Sequence, residues 1–372
     1  MDALKKEQLL KIFLFSIVSL TLISLGMIYS ASYMYAMEEF GSSNYIFLKQ
    51  LVFVIISCIA ILIISRSKFE FWYKNIFYIH VFFTFLVLMT FFPGVGVKIK
   101  GASRWINLGF INIQPGEFVK YSTLLTGISF FHHFPIWKKE EVIKKGIILF
   151  APLILLMFQP DYGMFFLCFS NILFACFLSN FPRKWFYGFL VSSLVLMSGV
   201  LVLAPYRVKR LMSYLDPWSD PSNTGFQIIQ SFLAFAHGSI LGAGIGNSRE
   251  KLFYLPEAHN DFIFSVIGEE LGFLGVFLIV SLFVVFAFSG LKLAIAHKDN
   301  VKSSFSVLVV LTLCFQAILN MSVVLGLLPT KGLNLPMISY GGSSLLANAL
   351  LLGVFFSLYI KKNERRIFET AL

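Results

Sequence analysis

Charged side chains are scarce in this chain, so the places where they gather stand out. Glu257 and Asp261 lie four residues apart at the end of a long polar stretch. If a helix begins early enough there, both carboxylates face one way. Glu117 and Lys120 are three apart, share a helix face and can pair. Arg207, Lys209 and Arg210 form a basic cluster, Arg104 sits in an earlier loop, and His259 stands between Glu257 and Asp261. Glu269 and Glu270 follow two turns beyond Asp261. Carboxylates with a basic rim suit an anionic lipid substrate, because cations hold phosphate and a carboxylate can accept a proton.

Each feature also has a plain structural reading. An ionisable group at membrane depth costs about 2.5–3.5 kcal/mol on insertion scales, which makes it a functional candidate by default. Intramembrane pairs also lock helices together, and spacing leaves the two readings of Glu117/Lys120 even. For Asp261, helix capping is ahead on spacing alone, since Asp is a favoured N-cap. Glu269 and Glu270 read as a polar helix interface. The basic cluster at 207–210 matches residues that meet lipid headgroups at a span end. His80 reads as a hydrogen-bonded core histidine, and Ser343 as a helix cap.

These residues are carried on apolar elements. Of 372 residues, 58% are hydrophobic and 13% charged, with a mean hydropathy of +0.81. Soluble domains carry about 25% charged residues. The expected class is an all-α polytopic membrane protein with about ten helices of ~20 residues. The apolar runs fall at 12–30, 46–65, 73–92, 116–131, 143–158, 162–180, 185–204, 261–289, 303–328 and 343–360. The first run has no small-x-small cleavage pattern and reads as a span, not a cleaved leader. Cys58, Cys168, Cys176 and Cys314 all lie in apolar runs, so neither disulfides nor a metal site is implied.

The net charge of +11 fits nucleic acid, but its placement argues against that, because the basic residues sit in short loops between spans. With the N-terminus inside, 19 of the 30 Lys and Arg fall on the cytoplasmic side, which puts both termini inside. Trp72, Trp137 and Trp185 lie near inner span ends. The segments 93–116, 205–260 and 329–342 are then irregular and outside. Within the large extracytoplasmic loop 205–260, Phe226, Ile229, Leu233, Ala236 and Ile240 recur at helical spacing, with Gln227, Gln230, Ser231 and His237 off the stripe. That pattern predicts an amphipathic helix on the outer leaflet, broken by Gly242, Gly244 and Gly246. Residues 1–372 read as a single transmembrane domain without evident internal duplication, and 361–372 as a cytoplasmic tail.

Four stretches carry a more specific signal: GASRWINLGFINIQPGEFVK (101–120), RLMSYLDPWSDPSNTGFQIIQS (210–231), LGAGIGNSREKLFYLPEAHNDFIFSVIGEELGFLG (241–275) and LPMISYGGSS (335–344). In order and wording they resemble the SEDS family, which includes FtsW, RodA and SpoVE, and the wording around 246–261 is nearer FtsW. Asn260 stands where the family usually has Thr, Gly116 where it has Ser, and His237-Gly238 where Gly-Gly is common. None of these departures removes an ionisable group.

The resemblance implies a peptidoglycan glycosyltransferase. It would polymerise lipid II, an undecaprenyl-diphosphate-linked disaccharide-pentapeptide, into β-1,4 glycan at the outer face of the cytoplasmic membrane. By the same resemblance Asp261 is the catalytic residue and Glu117 and Lys120 are important for activity. Glu257 and His259 would complete the supporting cavity, and Arg104, Arg207 and Arg210 would meet the diphosphate. A divalent cation, Mg or Mn, is implied without an organic cofactor, and no ligand cage is legible. The implied partners are a class B penicillin-binding protein transpeptidase, divisome proteins and membrane lipids, with the division septum as the site of action. A lipid II flippase and a non-catalytic divisome scaffold are the alternatives.

Overall fold

The computed structural model describes residues 3–99, 102–109, 111–179, 181–202, 214–221, 225–249, 258–329 and 332–360. Helices dominate: α1 (Ala3–Phe40), α2 (Tyr45–Ser65), α3 (Phe69–Lys74), α4 (Ile76–Met89), α5 (Pro115–His133), α6 (Lys139–Phe158), α7 (Tyr162–Leu178), α8 (Arg183–Val202), α9 (Phe226–Gly238), α10 (Ile263–Ile295), α11 (Asn300–Val324) and α12 (Gly342–Ser357). Every apolar run read from the sequence contains a helix. α1, α2, α10 and α11 are long and apolar enough to cross a bilayer by length and composition, and α4, α7 and α12 are shorter apolar helices.

The segment read as an irregular loop at 93–116 contains a small antiparallel sheet, ordered β1 (Gly96–Ile99), β2 (Ala102–Asn107), β3 (Asn112–Ile113). Val97 faces Trp105, and Ile106 faces both Gly96 and Ile113. The sheet gives this stretch of backbone its partners where no helix does, and it delivers the chain to α5 through Pro115 at the first helical position.

The chain divides into two compact units. One comprises residues 53–186, 290–312 and 342–372; the other comprises 1–52, 187–289 and 313–341.

In the first unit, α5 packs against α4, α6, α7 and α12. It is buried from Pro115 to Phe131. Its composition explains that position, because Ser122, Thr123, Thr126 and Ser129 would be costly against hydrocarbon. Thr123 and Thr126 donate back to the carbonyls of Val119 (2.8 Å) and Ser122 (2.7 Å). Small residues let helices approach closely, as Gly127 does beside Ala175. His80 on α4 is fully buried with Nδ1 2.8 Å from Ser122 Oγ, the core role expected of it.

In the second unit, α10 is interrupted at Gly272 (φ 64°, ψ −162°). A broken helix frees backbone groups that must find partners in a membrane. Segment 239–244 supplies them. Phe273 and Leu274 N–H donate to the carbonyls of Ser239 (2.9 Å) and Ile240 (3.3 Å). Ala243 and Gly244 N–H donate to the carbonyls of Glu269 (2.9 Å) and Glu270 (3.1 Å).

α9 is the helix expected within 205–260. Ile228, Ile229, Ser231, Ala234 and Gly238 are buried, whereas Phe232, Leu233 and Ile240 are exposed. The inward Ser231 hydroxyl bonds the Ser265 hydroxyl (2.7 Å) and the Val324 carbonyl (2.6 Å). Ile228, Ile229 and the small residues turn towards protein, while Leu233, Ala236 and Ile240 of the apolar stripe turn outward. The helix ends at Gly238, ahead of Gly242, Gly244 and Gly246, all of which have positive φ.

Candidate functional site

The described residues among those singled out by the sequence fall into two groups, one in each unit.

In the first unit, Glu117 occupies the first turn of α5, and Lys120 Nζ lies 2.5 Å from its Oε2. Their side chains are 2% and 0% exposed. The ammonium also lies 4.7 Å from the Tyr121 ring centroid, within cation–π range. Tyr121 Oη donates to Asn348 Oδ1 on α12. Asn171 on α7 donates to the Lys120 carbonyl (2.8 Å) and accepts from Thr312 (2.6 Å), so α5, α7 and α11 are joined by one amide. A buried ion pair is tolerable only with such support, because desolvation of both charges must be offset.

Arg104 lies on β2 and is engaged within the protein. Its Nη2 donates to the Pro160 carbonyl (2.6 Å), and its Nε is 3.6 Å from Asp161 Oδ2. Asp161 is buried, caps α7 by accepting from Met164 N–H (3.2 Å), and accepts from Gln114 Nε2 (3.4 Å). Asp161 did not stand out in the sequence, although an Asp directly before an apolar run is a capping signal. Ser343 is not an N-cap. It lies inside α12, where its hydroxyl accepts from Gln114 N–H (3.0 Å) and joins α12 to the start of α5.

In the second unit, Asp261 stands in the turn at 258–262, two residues before α10 begins. Its carbonyl accepts from Asn320 Nδ2 of α11 (2.8 Å). A Cβ on Gly332 would stand 3.5 Å from Asp261 Oδ2, which places the 332–341 segment beside the carboxylate. That segment is irregular and largely buried, with Leu333, Leu335 and Ile338 almost inaccessible. Side chains satisfy its backbone: Asn320 and Gln316 donate to the carbonyls of Leu333 (2.6 Å) and Asn334 (2.8 Å), and Ser24 of α1 donates to that of Ile338 (2.7 Å). Non-helical backbone at membrane depth needs this kind of enclosure.

His259 is tied to the same place. Its carbonyl accepts from Tyr340 N–H (3.0 Å), and its ring lies 5.3 Å from that of Tyr35 and 5.7 Å from that of Tyr340. Glu257, Arg207 and Arg210 lie outside the described residues.

Glu269 and Glu270 are buried and bonded, as a polar interface requires. Glu269 accepts from the Ser248 hydroxyl and from Arg249 N–H (2.8 Å), with His237 Nδ1 at 3.8 Å. Glu270 accepts from Ser30 of α1 (2.7 Å). Together with the break at Gly272 they bind segment 239–249 to α10. Spacing on a straight helix could not reveal the loop partner. Cys168 and Cys176 are buried packing residues, whereas Cys58 is exposed on α2; all the cysteines are free thiols. Among the described residues, no three His, Cys, Asp or Glu side chains converge as a metal site.

Four helices long and apolar enough to cross a bilayer, with shorter apolar helices beside them in the sequence, define a multi-pass α-helical membrane protein. The chain belongs to the FtsW/RodA/SpoVE family, whose description is "Cell cycle protein" and whose model matches residues 10–364. It is 37% identical over 348 residues to a "Probable peptidoglycan glycosyltransferase FtsW" of Geobacter metallireducens, covering 91% of this chain and 92% of that protein. It is 36% identical over 350 residues to the "Stage V sporulation protein E" of Bacillus subtilis, covering 92% and 94%. The fold resembles a chain in a structure described as "Structural coordination of polymerization and crosslinking by a peptidoglycan synthase complex", with TM-score 0.74, 26% identity and coverage of 95% and 97%. Thermus thermophilus RodA shares the fold at TM-score 0.67 and 21% identity, with coverage of 93% and 95%.

Proposed function

We propose that this chain is an inverting peptidoglycan glycosyltransferase. It polymerises lipid II into β-1,4 glycan strands at the outer face of the cytoplasmic membrane, with Asp261 as general base. The supporting observation is the setting of Asp261, outside regular helix, on backbone held by α11 and beside the 332–341 segment. Family membership and relatives named as glycosyltransferases at 33–38% identity support the chemistry.

Lipid II carries an α-linked sugar diphosphate and the product linkage is β, so one in-line displacement suffices and no covalent intermediate is needed. The attacking sugar hydroxyl loses its proton to the Asp261 carboxylate as its oxygen bonds the anomeric carbon. The bond from that carbon to the diphosphate oxygen breaks, and its electron pair leaves with the diphosphate. A helix N-terminus beside Asp261 favours the negative charge that a base requires. The leaving group needs charge neutralisation more than protonation, a task suited to Arg207 and Arg210. Arg104 already serves Asp161 and Pro160, so it acts on the sheet and the α7 cap first. A divalent cation at the diphosphate would add to that neutralisation, although no three His, Cys, Asp or Glu side chains among the described residues converge to cage one.

Ten spans with both termini cytoplasmic complete this reading, together with a class B transpeptidase partner at the division septum. The test is reconstitution of the purified protein with lipid II, with and without such a transpeptidase. Glycan strands are expected, and Asp261→Asn lowers their rate about 10²–10⁴-fold, the usual contribution of a general base. Lipid crossing the bilayer without strands would make the protein a flippase. Neither activity, with the partner present, would make it a scaffold. A normal rate for Asp261→Asn would overturn the assignment of the base.

A further inference from the structure

Two separate stretches of irregular backbone in the second unit, 258–262 and 332–341, are joined through one side chain. Asn320 on α11 is 2% exposed, and its Nδ2 donates to the carbonyl of Asp261 (2.8 Å) and to that of Leu333 (2.6 Å). Its Oδ1 is buried and has no hydrogen-bond partner among the described residues. The amide is thus used for its two donors. The reverse orientation would set its oxygen against two carbonyl oxygens, so the geometry fixes which end points where. One turn away on the same face, Gln316 anchors the next carbonyl of the segment, that of Asn334 (2.8 Å). A buried, half-satisfied amide is costly in this setting, and an apolar residue would avoid that cost while orphaning two carbonyls.

We propose that Asn320 is a positioning residue for glycosyl transfer. It clamps the peptide that carries Asp261 to the 332–341 segment, and so sets the direction of the carboxylate towards the attacking hydroxyl. This rests on the assignment of Asp261 as base. Asn320 reaches the main chain of Asp261, so it acts on aim and leaves substrate binding to other groups. A misplacement of about 1 Å can cost about 10²-fold in rate.

The test uses the full-length protein reconstituted with lipid II and a class B transpeptidase, and compares Asn320→Ala and Asn320→Asp with the unmodified chain. Asn320→Asp keeps the shape and removes both donors. The expected result is a fall in kcat of about 10- to 100-fold, with KM within about twofold and thermal unfolding showing folded protein. Asp261→Asn is measured alongside. If it polymerises normally, the assignment of the base fails first. If it is inactive while either Asn320 variant turns over normally, the base stands and the clamp is wrong. A higher KM with unchanged kcat, or a loss of rate that only tracks loss of folded protein in both variants, also overturns the positioning role.

Discussion

The backbone of Gly242 lies against that of Gly272 so closely that a side chain on either would collide with the other's neighbourhood. A Cβ on Gly272 would strike the Gly242 nitrogen, and one on Gly242 would strike the Glu270 carbonyl. Both residues have positive φ (84° and 64°). A left-handed conformation alone costs an L-residue about 1–2 kcal/mol, and here the obstacle is backbone that cannot move aside. Gly272→Ala and Gly242→Ala are therefore expected to lower the unfolding temperature markedly. Gly246→Ala is the control, with φ of 88° but open space around it, and should cost only the conformational penalty. Thermal unfolding in detergent measures the order, and equal melting of Gly272→Ala and Gly246→Ala would show that the splice is loose.

The Glu117–Lys120 pair predicts a strongly non-additive result. Glu117→Gln leaves a fully buried ammonium without its carboxylate, and breaking such a pair costs about 3–5 kcal/mol. Glu117→Gln combined with Lys120→Met removes both charges and should regain much of the lost stability. A double variant as unstable as the single one would show that the charges themselves, and not merely their balance, hold α5 in place.

Arg104 and Asp161 should also couple. Asp161→Ala removes a helix cap worth about 1 kcal/mol, together with the acceptor for Gln114 and the partner of Arg104. With Arg104→Ala, a double-mutant cycle should give a coupling of roughly 0.5–3 kcal/mol, the range for residues in direct contact. Purely additive losses would free Arg104 for a direct role at the substrate.

α9 offers a comparison of its two faces. Ser231→Ala removes a buried hydroxyl with two partners and should destabilise by about 1 kcal/mol. Leu233→Ala alters a more exposed position, so its effect on the unfolding temperature of the solubilised protein should be smaller. The opposite order would show that the exposed stripe, and not the Ser231 hydroxyl, secures the helix.

Much of this architecture is visible in the order of residues. The helices, the glycine-rich end of α9 and the pairing of Glu117 with Lys120 follow from local rules, because hydrocarbon leaves a spanning segment almost no alternative to helix and i,i+3 spacing sets one helix face. Apolar runs and scattered charge are local properties, and local physics reads them. The tertiary structure decided what those rules cannot reach. That α9 turns Ser231 inward depends on the neighbours that offer Val324 and Ser265. Glu269 serves a loop because α10 is broken at Gly272 and segment 239–244 fills the gap. Arg104 is drawn to Asp161, 57 positions along the chain, and Asn320 finds Asp261 across 59. Each of these pairings joins a donor on one element to an acceptor on another. A buried polar group takes whichever partner packing brings within hydrogen-bond reach, and the distance along the chain carries no record of that choice.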